Sequence, residues 1–201
     1  MRRLGIMGGT FDPVHYAHVE MARQACSQAG LDFVWFMPSK NPPHKQDGHI
    51  RSEKVRSDMV KLAIAGEEKM IFSDYELCRD GITYSADTLE SLCRDYPDDE
   101  FYFIMGGDSF FQIENWYMPD VVMKKAVLLV AGRDGVPADL MKKQAWHLEC
   151  VYGAKIKFIE MDDIQVSSTM IRELISQGMD ASEYVGDEVW KYILENKLYI
   201  K

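Results

Sequence analysis

Residues 8–18 read GGTFDPVHYAH and follow the short apolar run Leu4–Met7. Two glycines, Gly8 and Gly9, leave the end of a strand, and His15 and His18 stand three residues apart where a helix begins. Glycine permits a sharp turn and lets a ligand approach the peptide N–H groups closely. The first turn of a helix carries unpaired N–H donors and a partial positive charge, and side chains at i and i+3 face the same way. Together these features predict a phosphate-holding turn, suited to the polyphosphate of a nucleotide. No G-K-[ST] follows, so the segment is not a P-loop, and GxGxxG is absent, so it is not a dinucleotide fingerprint. The histidine spacing is open to zinc, but no nearby Cys or carboxylate completes a third ligand. A glycine turn with two surface histidines is the plain alternative, and it weakens as other segments are added.

Outward from this segment, short apolar runs alternate with helical periodicity. Val19, Ala22, Cys26 and Ala29 recur at helical spacing before a stop at Gly30. Phe33–Met37 reads as a second strand, ended by Pro38. The polar loop NPPHKQDGH, residues 41–49, contains two prolines that forbid helix. Val55, Met59 and Leu62 mark a second helix, Met70–Ser73 a weak strand, and Leu89, Leu92, Cys93 and Tyr96 a third helix. Phe101–Met105 is an apolar strand stopped by Gly106-Gly107. Ala126–Ala131 is another, stopped by Gly132. Residues 138–149 read as helix, Ile156–Met161 as the last strand, and residues 168–177 and 187–195 as two closing helices.

Strands that are apolar throughout, alternating with helices, imply a parallel sheet covered on both faces. The expected fold is α/β: a Rossmann-like doubly wound sheet and a small C-terminal helical segment, about 166–201, within a single domain spanning 1–201. Such sheets bind ligands beyond the carboxyl ends of their strands, where the strand order reverses. GGTF, Pro38-Ser39-Lys40, Gly106-Gly107-Asp108 and Gly132-Arg133 all follow strand ends, so they are expected along one sheet edge.

The 201 residues are 47% hydrophobic, ordinary for a globular core. Twenty-three Lys and Arg stand against 32 Asp and Glu, a formal net charge of −9. That balance disfavours nucleic acid and anionic membrane as partners, so an anionic ligand must be drawn in by a local cluster of cations. Cys26, Cys78, Cys93 and Cys150 form no CxxC pair and read as buried free thiols in a reducing compartment. Arg2 and Arg3 precede too few apolar residues for a signal peptide, and no run approaches the roughly 20 apolar residues of a membrane helix. The expected location is the cytoplasm. The oligomeric state stays open, a homo-oligomer included.

Val166–Arg172, VSSTMIR, is the second strong signal. Ser167, Ser168 and Thr169 are good N-cap residues, with Ile171, Leu174 and Ile175 following at helical spacing. A plain helix cap accounts for the hydroxyls but not for Arg172, one turn in and facing the cap. A helix N-terminus, several hydroxyls and a guanidinium make a second phosphate site.

GGTFDPVHYAH together with VSSTMIR resembles the nucleotidyltransferase superfamily marked by (H/T)xGH near the N-terminus and [ST]xxxR later in the chain. More narrowly, the chain resembles the bacterial nicotinate-nucleotide adenylyltransferase family. Pro42–Lys45 (PPHK), Thr83–Leu89 (TYSADTL), Gly106–Trp116 (GGDSFFQIENW) and Val127–Arg133 carry this narrower likeness, in that family's order and spacing. Two departures stand out: Ala17 where the family usually has Gly between the histidine positions, and Asp134-Gly135 where it often has proline.

The resemblance implies adenylyl transfer from ATP to nicotinate mononucleotide in NAD biosynthesis, giving the deamido dinucleotide and pyrophosphate, with Mg²⁺ carried by the ATP phosphates and no protein metal site. It implies catalytic roles for His15, His18, Arg172 and Lys45. It assigns ATP to Gly8, Gly9, Thr10, Phe11, His15, His18, Gly106, Asp108, Arg133, Ser167, Ser168, Thr169 and Arg172. The mononucleotide is assigned to Lys45, the backbone of Thr83, Tyr84 and Ser85, and stacking on Trp116. His44 and Lys40 are further phosphate candidates. Asp12 and Asp108 are candidates for an indirect metal contact or a ribose hydroxyl. A different acceptor on the same fold, such as phosphopantetheine or an amide mononucleotide, and a non-catalytic nucleotide-binding module are the competing readings.

Overall fold

A computed structural model of the chain describes residues 1–41, 50–132, 137–162 and 164–200. The strands are β1 (Arg3–Gly9), β2 (Phe33–Pro38), β3 (Met70–Phe72), β4 (Glu100–Gly106), β5 (Val127–Ala131) and β6 (Lys155–Ile159). All pair in parallel, in the order β3-β2-β1-β4-β5-β6. The chain moves outward from β1 to β3, then returns to lay β4 on the other side of β1. The strand order therefore reverses between β1 and β4, and a crevice opens beyond their carboxyl ends.

The helices are α1 (Tyr16–Ala29), α2 (Glu53–Ala63), α3 (Ser85–Asp95), α4 (Gly107–Gln112), α5 (Pro119–Lys125), α6 (Ala138–Tyr152), α7 (Ser168–Ser176), α8 (Ser182–Val185) and α9 (Asp187–Glu195). A 3₁₀ turn, Ile113–Asn115, joins α4 to α5. Two apolar clusters cover the sheet. One joins α1, α2 and α7–α9 through Val19, Met59, Ile171 and Ile193. The other joins α3 to α6 through Leu89, Phe110, Val122 and Leu148. Gly5 lies mid-strand because a Cβ there would come within 2.8 Å of Leu31 Cδ1 and 2.9 Å of Val34 Cγ2. Gly30 ends α1 in the left-handed region at φ 63°, a conformation that favours glycine.

Several expectations change. Gly8 and Gly9 do not leave the strand. They continue the β1–β2 ladder opposite Met37 and Pro38. Gly107 opens α4 instead of ending structure, and the short elements between 107 and 125 are too brief to show a period in the sequence. The last strand ends at Ile159, two residues early, and α8, four residues long, falls between the two expected closing helices. The cysteines are free as expected, but Cys78 and Cys150 are exposed and Cys26 and Cys93 only half-buried. Among the described residues no helix is long and apolar enough to cross a membrane.

Candidate active site

The turn out of β1 is made by Phe11 at φ 52°, not by a glycine. This left-handed conformation costs a non-glycine residue energy. Burial of the Phe11 ring offsets the cost: it is 2% exposed, packs on Phe36 and meets the His18 ring edge-on at 5.1 Å. Gly9 makes room for that ring, since a Cβ there would lie 3.2 Å from it. Thus Phe11 acts as a prop under His18, and the missing Gly9 side chain makes room for it.

His15 caps α1 and His18 is its third residue. Their ring centroids are 3.8 Å apart. The His15 backbone N–H donates to His18 Nδ1 at 3.3 Å, so the proton of a neutral His18 ring sits on Nε2. The pair forms a loose capping box, yet His15 Nδ1 is buried and meets no partner at hydrogen-bond geometry. Burial pushes the His15 imidazole down to about 4. The unfolded ring titrates near 6.5. Between those values the unfolded state binds more protons, so stability falls as pH drops from about 6.5 toward 4 and is fully present above that window. An NMR titration of the ligand-free protein is expected to give a His15 midpoint near 4, raised on adding inorganic triphosphate because a nearby anion favours the charged ring. A ligand-free midpoint near 6.5 would contradict this environment.

The late segment reaches the same turn. Arg172 Nη1 donates to the Asp12 carbonyl at 2.7 Å, and Nη2 to Thr169 Oγ1 at 3.1 Å. Ser168 Oγ donates to the Pro13 carbonyl at 2.8 Å, while Ser167 Oγ accepts the Met170 N–H and caps α7. All three hydroxyls are therefore engaged in building the arrangement. Arg56, 1% exposed, reads in the sequence as an ordinary polar position of α2. Its guanidinium binds the carbonyls of Thr10 and Ser39, both at 2.8 Å, and of Arg51 at 3.1 Å. It ties the end of β1 to the segment after β2. Asp12 is 3% exposed, and its carboxylate accepts from the Tyr199 hydroxyl and the Arg51 N–H.

Two adjoining cavities share His18, Met21, Gly106 and Ser109. The smaller, about 260 Å³, is bounded by His15, Asp108, Gly132, Ser167 and Ser168. The larger, about 720 Å³, is bounded by Thr10, Thr83, Tyr84, Ser85 and Trp116. His18 stands at the junction and His15 lines only the smaller chamber. Ala17 is buried and lines the smaller chamber too.

In the larger chamber the half-buried Trp116 meets Phe103 edge-on, centroids 5.8 Å apart. Tyr84 and Tyr117 stack at 4.3 Å. The Thr83 N–H, expected to be a free donor, donates to the Asn41 carbonyl at 3.1 Å. Tyr84 caps α3 and Ser85 opens it, and first-turn N–H groups have no acceptor within a helix. Glu76, which no sequence motif marks, lines this chamber; burial pushes its carboxyl up to about 7, and Thr88 Oγ1 donates to it at 2.8 Å. Lys40 Nζ lies 3.2 Å from the exposed Asp80 carboxylate. Lys45, His44 and Arg133 lie outside the described residues.

A reversing parallel sheet with two phosphate-suited segments meeting at its rim is the architecture of a nucleotidyltransferase, and residues 6–174 match the family model described as cytidylyltransferase-like. The chain is 40% identical over 200 residues to the probable nicotinate-nucleotide adenylyltransferase of Lachnoclostridium phytofermentans, covering 100% of both chains. It is 36% identical over 199 residues to the nicotinate-nucleotide adenylyltransferase of Bacillus subtilis, covering 99% of both. Among solved structures, Plasmodium falciparum nicotinic acid mononucleotide adenylyltransferase complexed with NaAD shares the fold at TM-score 0.83 and 19% identity, over 99% of this chain and 98% of that one. The chain belongs to the nicotinate-nucleotide adenylyltransferase family.

Proposed function

We propose that this chain joins ATP and nicotinate mononucleotide to give nicotinate adenine dinucleotide and pyrophosphate. The observation that supports this reading most is the pair of chambers meeting at His18. One chamber takes ATP, its phosphates between α1 and α7, and the other takes the mononucleotide. A phosphate oxygen of the mononucleotide attacks the α-phosphorus of ATP, a new P–O bond forms, and the bond to the bridging oxygen of pyrophosphate breaks. A phosphomonoester has a second pKa of about 6, so the acceptor is mostly dianionic at neutral pH and no general base is required. Catalysis is positioning and charge stabilisation.

His18 donates from Nε2 to the phosphate where charge develops. His15, Arg172 and the N–H groups opening α7 hold the rest of the triphosphate. Mg²⁺ arrives with ATP, on phosphate oxygens and water. Among the described residues no group of three His, Cys, Asp or Glu is placed to hold a metal. Trp116 stacks on the pyridine ring, and the Tyr84 and Ser85 N–H groups receive the nicotinate carboxylate. Glu76 carries less charge at neutral pH than an ordinary carboxylate, which reduces repulsion of an acidic acceptor. Lys45 and Arg133 remain assigned to phosphate and ATP by family likeness.

The test is pyrophosphate release from ATP with each mononucleotide. The acid form is expected to exceed the amide form by about 10²-fold or more in kcat/KM, because the amide presents N–H donors where the site needs an acceptor. Equal turnover of the amide would overturn the acid selectivity, and no turnover of either would overturn the activity.

A further inference from the structure

Asp12 is a buried carboxylate in a turn held by three arginine residues. Arg172 holds its carbonyl and Arg51 its carboxylate through a backbone N–H, while the Arg56 guanidinium grips the neighbouring Thr10 carbonyl. The remaining carboxylate oxygen is bound by Tyr199, a residue 187 positions away in sequence. Tyr199 follows α9 and is 6% exposed, with φ 64°. Lys197 is also left-handed, at φ 50°. Two strained residues in three mark a segment whose conformation is imposed by what it reaches. A phenylalanine would fill nearly the same core volume, so packing alone does not require a hydroxyl. The Tyr199 ring also lies under the Arg51 guanidinium, 5.0 Å from centroid to Cζ, a favourable placement for a cation. Arg51 Nε is itself buried without a hydrogen-bond partner.

We propose that Tyr199 is a positioning residue for the ATP-phosphate chamber: its hydroxyl fixes Asp12 and its ring face carries Arg51. The inference rests on the assignment of ATP to that chamber. Without the hydroxyl, one oxygen of a buried carboxylate loses its donor. The Arg51 guanidinium lies over the Tyr199 ring and the Arg172 guanidinium already holds the Asp12 carbonyl, so an Asp12 carboxylate short of a donor competes with the triphosphate for them. Burial and the Asp12 charge hold the Tyr199 phenol well above its ordinary range, so it stays a donor throughout the working pH range. Of the residues in these contacts Thr10 alone lines the acceptor chamber, and Tyr84, Ser85 and Trp116 at its nicotinate end make none of them.

Tyr199→Phe, Tyr199→Leu and Asp12→Asn, with the Tyr199→Phe/Asp12→Asn double variant, test this by calorimetry with ATP alone and by steady-state kinetics with both substrates. Tyr199→Phe is expected to weaken ATP binding and raise KM for ATP about tenfold, with KM for the mononucleotide within about twofold. Tyr199→Leu weakens ATP further, because Arg51 loses its ring. The double variant binds ATP no worse than Asp12→Asn alone, since the hydroxyl acts through Asp12. Wild-type ATP affinity in Tyr199→Phe would overturn the proposal. So would a parallel rise in both KM values accompanied by a fall in thermal midpoint, the mark of a merely structural role. The calorimetry needs no acceptor, so a wrong acceptor leaves the measured ATP affinities unaffected. A wild-type protein that binds no ATP overturns the ATP assignment and this inference together.

Discussion

His18→Ala is expected to lower kcat by about 10²–10³ while KM for ATP moves only a few-fold. Two observations set that asymmetry. His18 lines both chambers, so it stands where the bond between the two substrates must form. Its Nδ1 accepts from the His15 N–H and its ring is braced by Phe11, so a neutral ring is held in one orientation with its proton on Nε2. A contact that strengthens as negative charge passes to the leaving pyrophosphate stabilises the transition state more than bound ATP. Steady-state kinetics separates the alternatives. A loss confined to KM would mean that His18 holds ground state and transition state equally.

Arg172→Ala is expected to reduce kcat/KM for ATP about 10³-fold, and Arg172→Lys to recover little of it. The guanidinium bridges the Asp12 carbonyl and Thr169 Oγ1, and on the proposed reading its remaining N–H groups meet phosphate. A lysine ammonium lacks the planar fork that makes those contacts together. Removing the side chain also releases the turn that carries His15, so binding and rate fall together. KM for the mononucleotide is expected to stay near wild type. Near-full activity in Arg172→Lys would show that charge alone suffices.

The sheet was legible because β4 and β5 are buried on both faces and so read as continuous apolar runs. The helices of fourteen and eleven residues were legible from their period. Less was legible where one residue serves two structures. Glycine suits a strand as well as a turn, which hid the continuation of β1 through Gly9. Phe11 in the left-handed region contradicts local preference, and only the buried ring and the neighbouring histidine explain it. Arg56 looks like any charged helix residue in sequence, because backbone carbonyls gathered from three segments leave no trace in one. Tyr199 could not be linked to Asp12 by spacing. Thr83 kept its place in the acceptor chamber but lost its expected free N–H to Asn41, a pairing across 42 positions.

A crystal structure with an ATP analogue whose α,β bridge resists cleavage tests the central claim most directly. His15, His18 and Arg172 are expected to contact one triphosphate, with Nε2 of His18 within hydrogen-bond distance, about 2.7–3.2 Å, of an oxygen on or next to the α-phosphorus. A triphosphate bound away from Arg172, or lying in the Trp116 chamber, would contradict it.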